Sequence, residues 1–242
     1  MKRAVCLVSG GMDSFVTAAM AREKGYSIIA MTVSYGQKNR REILSAKRIC
    51  GFLEAEKHKV VEIDLSWADS ALTREDIPLP AGGDRKGIPE TYVPARNTIF
   101  ISLALALAET EKAGAIYIGV NSVDFSGYPD CRPEYIKRFQ ALIDVATRKT
   151  SEGGRIMLET PLLYMSKSRI ILEGIRMGLD LGLTWSCYAG GDNPCGSCPS
   201  CELRKKGFTE AGLQDPLLAG IKPAQHVAGS SGRNGQKHNT RR

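Results

Sequence analysis

The chain has 242 residues, 43% of them hydrophobic and 24% charged, with a formal net charge of +7; this composition is typical of a folded protein with one α/β domain and a small appendage. The longest apolar helical run, 99–108, is much shorter than the roughly 20 residues that cross a bilayer, and no signal-peptide layout opens the chain, so we expect a cytoplasmic protein without a membrane segment. Five basic residues and no acidic residue lie in 222–242, which leaves the rest of the chain a charge of only +2 and gives no reason to expect a stable nucleic-acid partner.

Apolar runs and helical patterns alternate from the first residues to about residue 177. The predicted strands are 3–8, 27–34, 60–65, 115–120 and 155–160, and the predicted helices are 14–24, 39–54, 97–108, 133–148 and 166–177. Strands separated by helices indicate the α/β class, with a doubly wound five-stranded parallel sheet that carries helices on both faces. Asn97 is the expected N-cap of the third helix, and Pro133 occupies the first turn of the fourth.

In sheets of this kind ligands bind beyond the carboxyl ends of the strands. The loops expected to converge there are 9–14, 35–38, 121–132 and 161–167. A polar loop rich in proline and glycine, 73–94, is long enough to act as a lid. Outside 222–242 the chain has a single histidine, His58, which lies between two lysines at the start of a predicted strand. The chemistry is therefore not expected to depend on imidazole.

The first of these loops, S-G-G-M-D-S at 9–14, follows a buried strand and precedes a helix. Such a turn directs consecutive backbone N–H groups at one point, beside the positive end of the helix dipole, and so favours phosphate. The carboxylate of Asp13 beside a polyphosphate requires Mg²⁺ or an orienting role. A Walker A loop is excluded because the dipeptide Gly-Lys is absent, and the remaining alternative is an ordinary strand-to-helix turn. The residues expected to hold the pyrophosphate of a nucleotide are Ser9, Gly10, Gly11, Met12, Asp13 and Ser14.

Four of the seven cysteines form a C-x7-C-x2-C-x2-C pattern, at Cys187, Cys195, Cys198 and Cys201. Two-residue spacers let successive thiolates reach one metal, and four thiolates leave no open position, so the pattern predicts one structural Zn²⁺. Disulfides and an iron–sulfur cluster are the alternatives. The predicted organisation is an ATP-binding domain at 1–183, a zinc-binding segment with a C-terminal helix at 184–221 and a flexible basic tail at 222–242.

Further motifs accompany this loop and these cysteines. They are Y-G-Q at 35–37, V-P-A-R-N at 93–97, G-V-N-S-V-D-F-S-G-Y-P-D-C-R-P-E at 119–134, T-W-S-C-Y at 184–188 and C-G-S-C-P-S-C at 195–201. From Lys2 to about Gly212 the chain resembles the 7-cyano-7-deazaguanine synthase family of queuosine biosynthesis. The motif at 119–134 is specific to that family, whereas the loop at 9–14 resembles the pyrophosphate loop of the wider ATP-pyrophosphatase (PP-loop) superfamily.

The resemblance implies an adenine nucleotide alpha-hydrolase-like fold and an ATP-dependent ligase. This ligase converts 7-carboxy-7-deazaguanine and ammonia into the nitrile, through an adenylated acid and then an adenylated amide. It implies Mg²⁺ bound with ATP, and it makes a homodimer the expected assembly. The chain contains no evident glutaminase domain, so free ammonia is the expected nitrogen source.

Six residues receive roles in this reaction. Asp13, Lys167 and Arg96 are expected to act in catalysis, with Lys167 on phosphate oxygens and Arg96 on a phosphate or on the substrate carboxylate. The residues expected to bind the guanine-like base are Asp124 and Asp130, at its N–H edge, and Tyr128, by stacking. The alternatives are a solvated lysine, an exposed salt bridge, turn-stabilising aspartates and a tyrosine that packs in the core.

Two other functions remain open at this stage. A PP-loop enzyme that thiolates tRNA would adenylate a base carbonyl and would need a sulfur-carrying cysteine, for which only Cys131 is left. A non-catalytic zinc-containing nucleotide sensor would bind ATP without releasing AMP, and its basic tail would contact nucleic acid.

Overall fold

The computed structural model describes residues 1–81, 87–123 and 127–218. A five-stranded sheet, all parallel, lies at its centre in the order β3-β2-β1-β4-β5. The strands are β1 (Lys2–Leu7), β2 (Tyr26–Ser34), β3 (Lys57–Glu62), β4 (Ala115–Tyr117) and β5 (Met157–Glu159). Val5 of the central strand is in register with Ile29 on one side and Ile116 on the other. The predicted α/β class and five-stranded parallel sheet are confirmed.

Seven α-helices accompany the sheet in the described residues. They are α1 (Met12–Glu23), α2 (Arg41–Phe52), α3 (Arg96–Thr110), α4 (Pro133–Ala146), α5 (Arg148–Ser151), α6 (Lys167–Arg176) and α7 (Pro199–Glu210), with short 3-10 turns at Pro129–Cys131 and Leu181–Leu183. None of these helices is long and apolar enough to cross a membrane.

Two hydrophobic cores lie on opposite faces of the sheet. Alternate residues of β1 enter different cores, because successive side chains of a strand point to opposite faces. Val5 and Leu7 join the core that α3 and α4 complete, whereas Ala4 and Cys6 join the core that α1, α2 and α6 complete. The sheet is thus covered on both sides, as a parallel sheet requires.

Three predictions about local structure were wrong in detail. The third strand begins at Lys57 rather than residue 60, because backbone pairing with β2 extends over the exposed lysines at the edge of the sheet. Strands β4 and β5 have three residues each and not six. Asn97 is not the N-cap of α3: the cap position is Ala95, in a left-handed conformation with φ of 54°, and Asn97 lies inside the first turn.

Candidate active site

A cavity of about 270 Å³ lies at the carboxyl ends of the strands. All four loops that were expected to converge there contribute to its wall, as do α2, α3 and the segment before α7. Its polar lining includes Ser9, Asp13, Ser14, Gln37, Asn39, Glu42, Arg96, Asn121, Tyr128, Lys167 and Tyr188, and its apolar lining includes Leu7, Met12, Met31, Val33, Phe100 and Ile118. The cavity therefore joins the predicted pyrophosphate loop to an apolar pocket within one site.

Hydrogen bonds between its two serines shape the loop at 9–14. The hydroxyl of Ser14 accepts from the backbone N–H of Ser9 at 3.1 Å and donates to the carbonyl of Gly11 at 2.9 Å, while the hydroxyl of Ser9 accepts from the N–H of Gly11 at 3.2 Å. Helix α1 begins directly after Gly11 and has no side-chain cap. The first N–H groups of a helix lack intrahelical acceptors, so this turn has the backbone donors that a phosphate needs.

Gly10 is the position in this loop that requires glycine. Its φ is +94°, and a Cβ there would lie 2.0 Å from the carbonyl oxygen of Glu42 in the first turn of α2. Because the clash would be with backbone, a side chain could not be accommodated by a rotamer change. The loop at 9–14 and the start of α2 are therefore in direct contact.

Asp13 and Lys167 form an ion pair inside the cavity. The Lys167 ammonium lies 2.7 Å from each oxygen of the Asp13 carboxylate. The lysine side chain is 9% exposed and the carboxylate 22% exposed, so the acid faces the cavity while the lysine is covered. Lys167 is buried and not solvated, and it is held at the loop where it was predicted to meet phosphate oxygens.

The stem of Lys167 crosses α7 at Gly207. A Cβ on Gly207 would lie 2.4 Å from Cγ of Lys167 and 3.0 Å from Cδ1 of Ile171. Because Gly207 has no side chain, α6 and α7 can lie close together and Lys167 can reach Asp13. The helix that follows the cysteines thus contributes to the position of a residue in the cavity.

Arg96 lines the cavity beside aromatic side chains. Its guanidinium donates to the hydroxyl of Tyr35 at 3.2 Å and lies 5.6 Å from the centre of that ring. The hydroxyls of Tyr128 and Thr91 are 2.7 Å apart. Burial raises the pKa of Tyr35, Tyr128 and Tyr188, so these phenols remain protonated and able to donate hydrogen bonds.

Asp130 stabilises the start of α3. Its carboxylate accepts from the backbone N–H of Asn97 at 3.0 Å, and its carbonyl accepts from the Asn97 amide at 3.3 Å. Asp130 does not belong to the lining of the cavity, whereas its neighbour Cys131 does. These contacts favour the turn-stabilising alternative for Asp130 over direct contact with a base. The other predicted carboxylate, Asp124, lies outside the described residues.

Cys131 is a buried thiol, 7% exposed, that accepts a hydrogen bond from the Asn97 amide. Burial, with the nearby Asp130 carboxylate, raises the pKa of Cys131 to about 12. A thiol in this state holds its proton at neutral pH and is a poor nucleophile. Cys131 therefore lacks the properties of a sulfur carrier.

Glu42 was not identified from the sequence, although it lies in the cavity. It occupies the first turn of α2, and burial raises the pKa of its carboxyl to about 7, an effect that the positive charge of Arg96 opposes. An acidic residue in a first helical turn is common because it complements the helix dipole, so the sequence signal was ambiguous. Only the packing of α2 against Gly10 places this acid in the site.

The four cysteines of the C-terminal pattern come together as predicted. Their sulfur atoms all lie within 4.8 Å of one another. All seven cysteines lie in the described residues, and none is paired in a disulfide. Two backbone N–H groups point at the cluster: that of Cys195 donates to the sulfur of Cys187, and that of Cys198 to the sulfur of Cys195, both at 3.3 Å. Four sulfurs at these separations fit one tetrahedral metal ion, whose Zn–S bonds are about 2.3 Å.

Several contacts join the cysteine segment to the rest of the fold. The buried amide of Asn39 donates to the carbonyl of Cys187 at 2.6 Å, and the backbone N–H of Trp185 donates to the carbonyl of Gly10 at 2.9 Å. The guanidinium of Arg41 lies 5.0 Å from the Trp185 ring. The segment at 184–188 thus packs directly against the loop at 9–14.

Arg204 of α7, like Glu42, was not identified from the sequence, and it makes several buried contacts. Its guanidinium forms a bidentate pair with Asp215, at 2.6 and 2.8 Å, and also donates to the hydroxyl of Thr184 and the carbonyl of Leu181. Both side chains of the pair are at most 6% exposed. An arginine on a polar helix gives no sequence signal for such burial, because its partner is chosen by the fold.

The chain matches the family model described as "Queuosine biosynthesis protein QueC" over residues 3–212. A 7-cyano-7-deazaguanine synthase of Alcanivorax borkumensis is 51% identical over 220 residues, which cover 89% of this chain and 98% of the relative. The synthase of Stenotrophomonas maltophilia (strain K279a) is 51% identical over 221 residues, 90% of this chain and 99% of the relative. A solved structure of a 4-thiouridine synthetase in complex with RNA and ATP is similar at 20% identity with a TM-score of 0.48, over 86% of this chain and 53% of that chain.

Proposed function

Because the chain belongs to the QueC family of queuosine biosynthesis proteins, we propose that it is an ATP-dependent ligase that converts 7-carboxy-7-deazaguanine and ammonia into 7-cyano-7-deazaguanine. The observation that carries the proposal is identity of about half the residues over nearly the whole length of curated synthases. The thiolating and sensor alternatives are less well supported: the relatives are synthases, and the one remaining cysteine in the cavity, Cys131, is a protonated thiol.

The reaction requires two activations of oxygen. A carboxylate cannot lose oxide, so the acid first attacks the α-phosphorus of ATP and releases pyrophosphate. Ammonia then displaces AMP from the acyl adenylate and gives the amide. A second ATP adenylates the amide oxygen, and loss of AMP leaves the C≡N bond. One pyrophosphate-binding turn serves both rounds, because each round breaks the same bond of ATP.

We propose that the loop at 9–14 binds the departing pyrophosphate. The N–H groups at the start of α1, which have no side-chain cap, and the positive φ that Gly10 allows in the loop support this assignment. Lys167 would exchange its contact with Asp13 for phosphate oxygens when nucleotide enters, since Lys167 and the loop at 9–14 line the same cavity. Asp13 is the loop carboxylate that would hold Mg²⁺ of Mg-ATP, where the ion neutralises phosphate charge.

The aromatic side of the cavity is suited to the acid substrate. Arg96 would bind the carboxylate or a phosphate, and Tyr128 would lie against the flat base. The Tyr35 and Phe100 rings, 5.5 Å apart, extend the same wall. Asp124 stays a prediction for the N–H edge of the base, and Asp130 would act by holding the start of α3.

We further propose that the four cysteines hold structural Zn²⁺, that the enzyme uses free ammonia, and that it is a cytoplasmic homodimer without a stable nucleic-acid partner. The cluster of four sulfurs supports a structural role for the metal over a catalytic one, because four protein ligands leave no open coordination position. The small net charge of the chain outside 222–242 supports the expectation about nucleic acid.

The direct test incubates the purified protein with Mg-ATP, ammonium and 7-carboxy-7-deazaguanine and identifies the products by mass. We expect AMP, pyrophosphate and the nitrile, with two AMP per nitrile, and none of these products when the acid is omitted. Release of ADP and phosphate would contradict attack at the α-phosphorus. Transfer of sulfur to tRNA would favour the thiolating alternative.

A further inference from the structure

Glu42 lines the cavity at the carboxyl ends of the strands. It shares the cavity with the loop at 9–14, with Lys167 and with Arg96. The backbone of Glu42 touches Gly10, so the position of this residue relative to the phosphate-binding turn is fixed by the packing of α2 on the loop.

Glu42 differs from Asp13 and Asp130 because no side chain or backbone group is hydrogen-bonded or ion-paired to its carboxylate in the described residues. Asp13 is paired with Lys167, and Asp130 accepts from Asn97. Within residues 1–81, 87–123 and 127–218, the Glu42 carboxylate makes no hydrogen bond or ion pair. A partly buried acid that faces a cavity without a partner can accept a proton or a hydrogen bond from a bound molecule.

The charged and titratable groups around Glu42 come from several elements. Arg96 of α3 favours the charged form, while Tyr35 after β2 and Tyr188 before α7 face it as neutral phenols. Asp13 of α1 and Lys167 of α6 line the same cavity as a mutually neutralising pair. Burial disfavours the charged form of Glu42 more than Arg96 favours it, and the pKa of the carboxyl is therefore raised to about 7. Near neutral pH Glu42 can alternate between carboxylate and carboxylic acid.

The proposed reaction removes protons only from nitrogen. When ammonia attacks the acyl adenylate, the C–N bond forms, the C–O bond to AMP breaks and one N–H proton must leave. Adenylation of the amide oxygen breaks the α–β phosphate bond and releases a second N–H proton. Loss of AMP then breaks the remaining C–O bond while a third proton leaves and its electron pair completes the C≡N bond. If ammonium enters, its additional proton leaves first.

We propose that Glu42 is the general base that takes these protons from the substrate nitrogen and passes them to water. The inference rests on the proposed function, because it assigns a role within the same site. It predicts that Glu42 is dispensable for the first adenylation, in which the acid substrate loses no proton, and essential for every later step.

The test compares Glu42→Gln with the unaltered protein in two assays. The first measures acid-dependent exchange of labelled pyrophosphate into ATP without ammonium, and we expect the variant to keep the rate within about threefold. The second measures nitrile formation with ammonium, where loss of a general base lowers the rate by roughly 10²- to 10⁴-fold. With the amide as substrate, the rate of the unaltered protein should rise with pH through about 7, and this dependence should vanish in the variant.

Hydroxylamine provides a readout that a purely structural role would not change. It is uncharged at neutral pH and yields an intermediate that loses its proton readily to water. The Glu42→Gln variant should therefore form the hydroxamate at close to the normal rate. Glu42→Asp, which keeps a carboxylate on a shorter stem, should retain part of the nitrile activity. Glu62→Gln makes the same chemical change at an exposed position of β3 and should alter neither assay.

The outcomes separate this inference from the function beneath it. Loss of pyrophosphate exchange together with nitrile formation in a folded Glu42→Gln protein would assign the residue to nucleotide or metal binding and overturn the inference. Normal nitrile formation in that variant would overturn it as well. Absence of acid-dependent exchange in the unaltered protein would instead contradict the proposed function, and the inference would fall with it.

Discussion

Two ion pairs show how differently the cavity and the C-terminal cysteine segment are built. Lys167 and Asp13 meet at 2.7 Å on the wall of the cavity, where the carboxylate is 22% exposed. Arg204 and Asp215 meet at 2.6 Å with both side chains at most 6% exposed, and Arg204 also holds Thr184 and Leu181. A lysine is a point charge that can move to a new partner, whereas a bidentate arginine is fixed in direction. We expect a substrate to exchange the first pair, whereas the second, although Arg204 also lines the cavity, joins α7 to the segments around it.

The same contrast extends to the groups around each pair. In the site, the Glu42 carboxylate makes no hydrogen bond or ion pair within the described residues, and burial disfavours its charged form. In the cysteine segment, carbonyls, thiols and the guanidinium are each engaged by neighbours. The difference indicates that changes in the site should alter catalysis more than stability, and that changes in the segment should do the opposite. The following predictions test this division.

The largest effect is expected for Cys198→Ser. A hard hydroxyl in place of one thiolate should abolish metal binding, and structural zinc is worth about 10–16 kcal/mol of apparent binding free energy in small modules. Because whole domains are stable by only about 5–15 kcal/mol, we expect aggregated or misfolded protein. Expression yield, circular dichroism and zinc content would measure this. A well-folded, zinc-free variant would contradict the structural role, and Cys50→Ser, outside the cluster, is the matched control.

Asp13→Asn should remove activity while leaving the fold intact. The amide oxygen can still accept from Lys167, but the charge that would hold Mg²⁺ and balance the lysine is gone. We expect release of pyrophosphate to fall by about 10³-fold, the magnitude typical for loss of one group that stabilises transition-state charge. Steady-state kinetics and a thermal melt of the same sample would measure the two properties. A large fall in melting temperature would show that Asp13 contributes mainly to the stability of the fold.

Arg204→Met should show the opposite behaviour in the cysteine segment. Removal of one partner leaves the Asp215 carboxylate buried without its cation, which typically costs about 3–5 kcal/mol. Unfolding in urea at saturating zinc would give the change in free energy. Replacing both partners, with Arg204→Met and Asp215→Leu together, should recover part of this loss. Equal stability of the single variant and the unaltered protein would show that the pair does not hold the segment.

Glu42→Gln should stabilise the protein at high pH. A carboxyl has a pKa near 4.5 in the unfolded chain and about 7 in the fold, so the folded state resists ionisation. Unaltered protein therefore loses stability as pH rises from about 4.5 to 7, up to about 3 kcal/mol, and the loss stays constant above that range. The variant should be more stable at pH 8 and equal at pH 4. Urea unfolding at both pH values measures this. Equal stability of the variant and the unaltered protein at pH 8 would show that burial does not raise the pKa of Glu42.

Gly207→Ala should have the smallest effect and should affect both regions. The new methyl would lie 2.4 Å from the Lys167 stem, so α6 and α7 must separate or the lysine must move. Overpacking of this kind costs about 1–3 kcal/mol, and displacement of Lys167 should lower activity as well. Gly51→Ala is the matched control, because a Cβ there meets nothing within 4 Å and should be neutral or stabilising. Unchanged activity in Gly207→Ala would show that Lys167 does not depend on α7.

The sequence predicted those parts of the molecule that depend on short spacings. The cysteine cluster follows from two-residue spacers, and the loop at 9–14 follows from glycines placed between a strand and a helix. The motif at 119–134 indicated the family, but it did not tell which of its acids faces the cavity. Asp130, expected at the substrate, accepts a hydrogen bond from the N–H of Asn97, because the start of α3 and the turn at Pro129–Cys131 pack together.

What the sequence alone determined is the order of strands and helices, the turn at 9–14 between a strand and a helix, the clustering of the four cysteines and, through its motifs, the family. The tertiary structure decided which distant side chains become partners: Lys167 meets Asp13 across 154 residues, and Glu42 enters the cavity only because α2 packs on Gly10. The physical reason is that local spacing is fixed by covalent geometry, which can be read along the chain. Burial and pairing depend on which surfaces meet when the two cores form, and no segment carries that information by itself.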